Sequence, residues 1–590
     1  MSLLQSVMRT GKSARFVCAT TAVLFVALGA SASAVAALAD WSMPLMSAQS
    51  EGEPPDVAAL TPSLVPLPTS QTEPDAVRLL EQATFGPNDA SVARVMSIGA
   101  VNWVDEQLAM PQTKYTAFTP WPANRPATCV DDNTLPATPT SHCARDNYTL
   151  FQLQREFFQN AAMAPDQLRH RVAFAWSQIL VTSGTEISLA YAMQRYQQIL
   201  ADQAFGNFRD LLTQVTLSPA MGRYLDMVNN LKANASTGVE PNENYAREVL
   251  QLFSMGTVEL KLDGTPLLDT YGNTIPSYSQ DDVEGFAHVF TGWTYPVAPG
   301  ATQRNLNPAY YDGPMEERSQ YHDYSAQELI DATAPANLTM SAELAFAIDN
   351  IFNNPNVGPF ISKQLIQKLV TGNPSPAYVA RVASVFNNNG AGVRGDMKKV
   401  VRAILLDAEA RGPAKSDPAY GRLREPAQFV VALARALNAS SDGVFLRAQA
   451  NAMNQPVFNA PSVFNFYPPD YVVPGTTILG PEFALQNTTT AFSRINYVNT
   501  LVFSTAINPD QTVYGATGTQ LNWSALTPLA SNPAALVDKL NRLLLHGTMS
   551  AAAQNAVVTA VNAVSATDSL TRAKTAFYLI STSPQYQVER

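Results

Sequence analysis

From Ala76 onward, apolar residues recur every three to four positions, the spacing of helices with one buried face. AVRLLEQATFG, DASVARVMSIG and AVNWVDEQLAM predict a helical opening in which Gly86 and Gly99 act as stops. YTLFQLQREFFQNAAM, PDQLRHRVAFAWSQILVTS, ISLAYAMQRYQQILADQAF and FRDLLTQVTLSPAMGRYLDMV continue the pattern. It returns at AELAFAIDNIF, FISKQLIQKLV, AYVARVASVF, MKKVVRAILLDAEA and PAQFVVALARAL, and in three closing segments from ALVDKLNRLLLHG onward. VELKLDGTPLLDTYGNTI instead alternates apolar and polar positions around Asp263-Gly264, the signature of a hairpin. With no regular repeat and no strand–helix alternation, the expected fold is mainly α: a large multi-helix globular fold with a small β-hairpin and long irregular loops.

Two further helical segments are unusually polar on one side. In PNENYAREVLQLFSMG each residue turns about 100° from the last, so Glu243, Asn244, Arg247, Glu248, Gln251 and Ser254 fall on one side of a helix. Tyr245, Ala246, Val249, Leu250, Leu252 and Phe253 fall on the other. Asn242 is placed to cap this helix, and Glu243 with Arg247 forms a favourable pair four residues apart. In SQDDVEGFAHVFTGW, Ser279 opens a cap and Asp281, Glu284, His288 and Thr291 follow along one stripe, opposite Val283, Phe286, Phe290 and Trp293. Two carboxylates and an imidazole at one-turn spacing can serve a substrate proton or a metal, or can form a solvated stripe with a carboxylate–imidazole bond. Tyr321-His322-Asp323 supplies a second His–carboxylate unit; folded back toward His288, it would complete an acid–base or metal-binding set.

Composition changes the picture at the N-terminus. Arg9, Lys12 and Arg15 precede the apolar run FVCATTAVLFVALGASASAVAALAD, whose small-residue sites predict a secretory signal over residues 1–39. The alternative is a retained membrane anchor; after signal cleavage no stable membrane span is expected. A Pro/Ser/Glu-rich linker over 40–73 and an all-α region over 74–590 follow. Within the latter, a disulfide loop covers about 111–147, the polar helices about 239–330 and the C-terminal helices about 340–590. Beyond Cys18, only Cys129 and Cys143 remain, in a Pro/Asn/Thr-rich stretch, and an even pair in an exported chain predicts one disulfide. A metal pair completed by His142 would lack ligands. The net charge of -10 and the absence of a basic patch exclude a nucleic-acid footprint.

Several apparent motifs carry no chemistry. GAGVRG at Gly390–Gly395 matches a dinucleotide fingerprint by letters, yet it lies between two helical segments, with no strand before it. It predicts a helix end and a short connection, with Asp396 capping the next helix. Nucleophile elbows, zinc helices and phosphate loops are absent, and the chain has five histidines. Arg424-Glu425 before Pro426 predicts a helix entry. The ring-rich loops GWTYP, PAYYDG and APSVFNFYPPDY suit either sugar stacking or anchoring of loops to the helices.

These residues also carry a resemblance. AVRLLEQATFGPND with NWVDEQL, NENYAREVLQLFSMG, DDVEGFAHVFTGW, His322-Asp323, FISKQLIQKLV, REPAQFVVALARAL, APSVFNFYPPDY and the closing SPQYQVER resemble, in order, the domain-of-unknown-function 1800 family of exported bacterial proteins. The resemblance implies a mainly helical protein without a settled activity, and a family motif at Asn242, Asn244, Arg247 and Glu248. It also implies genomic neighbours from a second exported family, domain of unknown function 1501, as a partner. Relatives carry Trp-x-Asn-His-Phe where this chain has Trp176-Ser177-Gln178-Ile179-Leu180, and a Gly- and Lys-containing run where it has Tyr324-Ser325-Ala326-Gln327-Glu328.

Two functions follow as expectations. One is an exported hydrolase or lyase acting on an envelope or extracellular polymer; the other is a non-catalytic cell-surface scaffold working with a second exported protein. The catalytic candidates are Glu243, Arg247, Glu248, Asp281, Glu284 and His288. The substrate-contact candidates are Asn242, Asn244, Trp293, His322, Asp323 and Tyr467. No metal ligand is assigned and the sequence names no cofactor.

Overall fold

The computed structural model describes residues 72–132, 135–413, 417 and 419–590. The expected signal segment and nearly all of the expected linker lie outside the described residues. Helices dominate, joined by long loops and by pairs of very short strands. The opening helices are α1 (Glu73–Ala83), α2 (Asp89–Ile98) and α3 (Ala100–Ala109). Past the Cys129–Cys143 disulfide come α4 (Cys143–Tyr148), α5 (Phe151–Met163), α6 (Gln167–Ser177), α7 (Ala190–Asp202), α8 (Phe208–Thr216) and α9 (Pro219–Tyr224). The polar pair is α10 (Asn244–Gln251) and α11 (Gln280–Val289). The next helices are α12 (Met340–Asn353), α13 (Val357–Leu369), α14 (Pro376–Asn387), α15 (Met397–Leu406), α16 (Pro426–Ala436) and α17 (Val444–Ala452). The chain closes with α18 (Thr488–Phe503), α19 (Pro533–Leu545), α20 (Ala551–Asn562) and α21 (Ser569–Ser581).

Local chemistry explains the boundaries. Ser279 accepts from the backbone of Asp282 while the Asp282 carboxylate accepts from the backbone of Ser279, a reciprocal cap that fixes the start of α11. Asp396 caps α15 after the glycine-rich connection, as the sequence predicts. Glu425 precedes Pro426 at the first position of α16, the expected helix entry. Every residue of α16 is buried, as are most of α13, so these two rods lie inside the bundle and not on its surface.

The strands are β1 (Trp293–Thr294), β2 (Glu316–Glu317), β3 (Gln327–Leu329), β4 (Ala332–Ala334), β5 (Arg422–Leu423), β6 (Ser440–Ser441), β7 (Thr519–Gln520) and β8 (Val588–Glu589). They pair antiparallel as β1–β2, β3–β4, β5–β8 and β6–β7, and β3–β4 is a tight hairpin. The stretch expected to form a hairpin at Asp263-Gly264 does turn there, with Leu260 opposite Pro266, but it is held by isolated bridges. Pro266 and Pro276 interrupt it and deny it donors for a longer ladder.

Both ends of the described chain meet in the interior. β8, next to the last residue, pairs with β5, and Arg78 of α1 donates through Nε to the Arg590 carbonyl at 2.7 Å. No helix among the described residues is long and apolar enough to cross a membrane.

Candidate functional site

The N-terminus of α10 is built by a network of short polar side chains. The Asn242 carboxamide oxygen accepts from the backbone of Asn244 at 2.9 Å, while the Asn242 backbone donates to Asn230 Oδ1 at 2.8 Å. Asn242 therefore sits one residue before the helix cap, which is Glu243, and the Asx turn replaces the cap bond that its sequence position predicts. Asn244 donates to Asp226 Oδ2 at 2.9 Å, and Asp226 and Asn229 both adopt left-handed backbone at φ 59° and 62°.

The polar sides of α10 and α11 meet. Arg247 donates to Glu243 at 2.7 Å and to the Gln280 oxygen at 3.0 Å. The Gln280 amide donates to Glu243 at 2.9 Å and to Glu284 at 3.2 Å. This ridge is half-exposed and satisfied by its own members, so solvent screening leaves its ion pair worth a few tenths of a kcal/mol. Asp281 is exposed at the start of α11.

Glu248 stands apart from the ridge. It is half-buried, one carboxylate oxygen is buried without a hydrogen-bonding partner, and its charge is felt by Tyr224 and Tyr278. Burial raises its pKa against the weaker opposing effect of Arg247. The same burial, with Glu186 and Glu248 nearby, pushes the Tyr224 hydroxyl up to about 12.

The His322-Asp323 loop folds back onto α11. Asp323 Oδ2 lies 2.6 Å from His288 Nδ1. Asp323 Oδ1 accepts from the Ser325 backbone at 2.9 Å and from its hydroxyl at 2.7 Å. Partial burial disfavours the Asp323 charge, but the bonds from Ser325 and His288 outweigh it and hold the pKa below the usual carboxylate range. With Nδ1 donating to an ionised carboxylate, a neutral His288 keeps its lone pair on Nε2, which carries no hydrogen bond among the described residues. His288 and Asp323 retain 27% and 20% side-chain exposure, so this ring is accessible.

The neighbours of this dyad are enclosed. Thr291 and His322 are fully buried, which departs from the expected polar stripe at Thr291. The Thr291 hydroxyl donates to the His288 carbonyl at 2.6 Å, and Ser254, in the turn after α10, is likewise buried with its hydroxyl on the Val249 carbonyl. A hydroxyl that bonds its own preceding turn can face the core at little cost. His322 Nδ1 lies 3.0 Å from the Thr291 carbonyl and its Nε2 lies 2.6 Å from Glu343 Oε2 on α12. Trp293 is buried at the edge of a 190 Å³ cleft that Arg209 and Leu344 also line. Three or more His, Cys, Asp or Glu side chains do not gather as a metal-ligating group among the described residues.

Tyr467 belongs to a different place, a closed hub of charges that periodicity did not anticipate. Arg422, with no exposed side-chain surface, lies 3.6, 3.2 and 3.5 Å from carboxylate oxygens of Glu425, Glu482 and Glu589. Arg424 pairs with Glu81 of α1, and His546 pairs with the same carboxylate. The Tyr467 hydroxyl is 2.9 Å from both Glu425 Oε2 and Gln178 Oε1, and Lys368 Nζ stands 4.1 Å from the Tyr467 ring centre. Burial drives the Lys368 ammonium down to about 8, and it raises Glu482 and Glu589, whereas arginine partners outweigh burial at Glu81 and Glu425. The signal that could have located the hub was in hand: Glu81, Lys368, Arg424, Glu425, Tyr467 and Glu589 each come from a segment that carries the family resemblance.

A family model described as "Protein of unknown function (DUF1800)" matches residues 78–588, and the chain belongs to this family. Neither the curated proteins nor the solved structures contain a match.

Proposed function

We propose that this DUF1800-family protein is an exported bacterial hydrolase or lyase acting on an envelope or extracellular polymer, with His288 as its general base and Asp323 as the group that orients it. The observation that carries the reading is the 2.6 Å bond from His288 Nδ1 to Asp323, which leaves Nε2 without a partner among the described residues on an accessible ring. Histidine exchanges protons near neutral pH, and a carboxylate behind the ring fixes its tautomer and stabilises the imidazolium formed when Nε2 takes a proton. The proton would come from water in a hydrolysis, or from carbon in an elimination. Arg247 and Glu284, on the ridge beside the dyad, would steady developing charge and substrate hydroxyls. Asn242, Asn244, Glu243 and Asp281 would line the same polar surface, and Glu248, whose pKa is raised, would supply an acid from its separate position. The Cys129–Cys143 disulfide supports export, because such bonds persist in oxidising compartments.

A second reading, the non-catalytic scaffold with an exported partner such as a domain-of-unknown-function 1501 protein, draws support from one observation. The ridge residues Glu243, Arg247, Gln280 and Glu284 satisfy each other across the two helices. The two readings separate on one substitution. Incubated with envelope polymer from the native host, the purified protein should release soluble fragments, and His288→Gln should reduce the rate at least about a hundredfold with an unchanged circular dichroism spectrum. Equal release by the variant would remove His288 from the catalytic role, and release by neither protein would favour the scaffold.

A further inference from the structure

We propose that Thr291, backed by the buried His322–Glu343 pair, is a positioning residue that sets which ring nitrogen His288 presents to solvent. The inference rests on reading His288–Asp323 as the acid–base centre, and it concerns how that centre is held. Thr291 lies just past Phe290, the C-cap of α11, and ties three atoms of the dyad region together. Its hydroxyl donates to the His288 carbonyl at 2.6 Å and accepts from the Asp323 backbone at 3.0 Å. Its own carbonyl faces His322 Nδ1 at 3.0 Å. One side chain therefore fixes both His288, from the helix side, and Asp323, from the loop side.

The pair behind it adds a second constraint. A carbonyl oxygen only accepts, so His322 Nδ1 carries a proton, and Nε2 on the other side of the ring stands 2.6 Å from Glu343 Oε2. Both side chains of the pair lie in a site with almost no exposure. Losing one partner from such a pair is costly, which anchors residue 322 and, through the next peptide, Asp323. Gly292 keeps this seat open: a Cβ there would stand 2.9 Å from His322 Cβ. Asp323 is left with its Oδ2 aimed at Nδ1 and not at Nε2.

The test reads the tautomer directly, by long-range proton–nitrogen correlation at the histidine rings of the full chain above the titration range. The native protein should show His288 protonated on Nδ1. Thr291→Val, which keeps the shape and removes the hydroxyl, should shift the tautomer ratio about tenfold toward protonation on Nε2, the scale of one hydrogen bond. Thr291→Ser should restore the native ratio, and Glu343→Gln should shift it in the same direction as Val. An unchanged ratio in Thr291→Val, or a shift that serine does not reverse, overturns the proposal. Neither outcome touches the catalytic reading, which fails separately if His288→Gln retains turnover.

Discussion

Glu248 illustrates how far one side chain can depart from its place in a pattern. Helical spacing puts it on the wet side of α10, yet it is half-buried, one oxygen has no partner, and the guanidinium next to it in sequence turns to Glu243 and Gln280 instead. Its raised pKa means that the folded state resists the charge. The linkage follows: above the folded pKa both states are ionised and the full cost of the charge is present; the cost fades as pH falls through that value, and it vanishes below the unfolded carboxyl value of about 4.3. Glu248→Gln should therefore stabilise the protein by about 1 kcal/mol near neutral pH and by nothing in acid. Thermal melts of both proteins across this range check the claim; a variant less stable at neutral pH would show that the charge is used in folding. Periodicity could not reveal this, because it reports an angle around one rod and not the neighbours that the tertiary fold places there. The same limit hid the burial of Thr291 and Ser254, whose hydroxyls find acceptors within their own chain.

At the scale of elements, α11 and the loop it leads into are the unit that makes a site. Much of α11 was legible: the Ser279 cap, the apolar face and the one-turn spacing of Glu284 and His288 are all present. The return of His322-Asp323 to His288 was legible only as a condition, since some thirty residues of loop and strand intervene and no local rule closes them. Two glycines allow the closure. At Gly285 a Cβ would come within 1.8 Å of the Glu328 carbonyl, so β3 can lie directly on α11. At Gly292, φ is +81° and the His322 seat is as close as described above. Gly292→Ala should consequently cost about 2 kcal/mol or more, since left-handed strain and the contact add. It should also disturb the His288 and His322 ring signals before others. Denaturant melts and ring spectra together test this, and a variant with native stability and native ring signals would contradict the packing account.

Across the whole molecule, the charged hub joins the first described helix, the centre and the last strand of the chain. Arg422 serves three carboxylates there, so Arg422→Ala leaves buried charges uncompensated and should cost about 3–5 kcal/mol, far more than any change on the exposed ridge. Equilibrium unfolding measures that difference; a loss under about 1 kcal/mol would mean that the hub is neutralised by protonation. Mainly helical architecture was legible from apolar spacing; the hub was not, because spacing says nothing of charges such as Arg422 in β5, Glu425 before α16 and Glu589 in β8, which only the tertiary fold brings together. The hub ties both ends of the described chain to its centre, and the proposed function rests on the accessible dyad. The most direct test of the dyad is turnover of native envelope polymer by Asp323→Asn beside the unaltered protein. The substitution keeps the shape but lets the side chain hold His288 in the wrong tautomer. The expected result is a modestly lower melting temperature, because the charge that the Ser325 and His288 bonds stabilise is lost, with a rate about a thousandfold lower; a rate within a few-fold of the native one would contradict it.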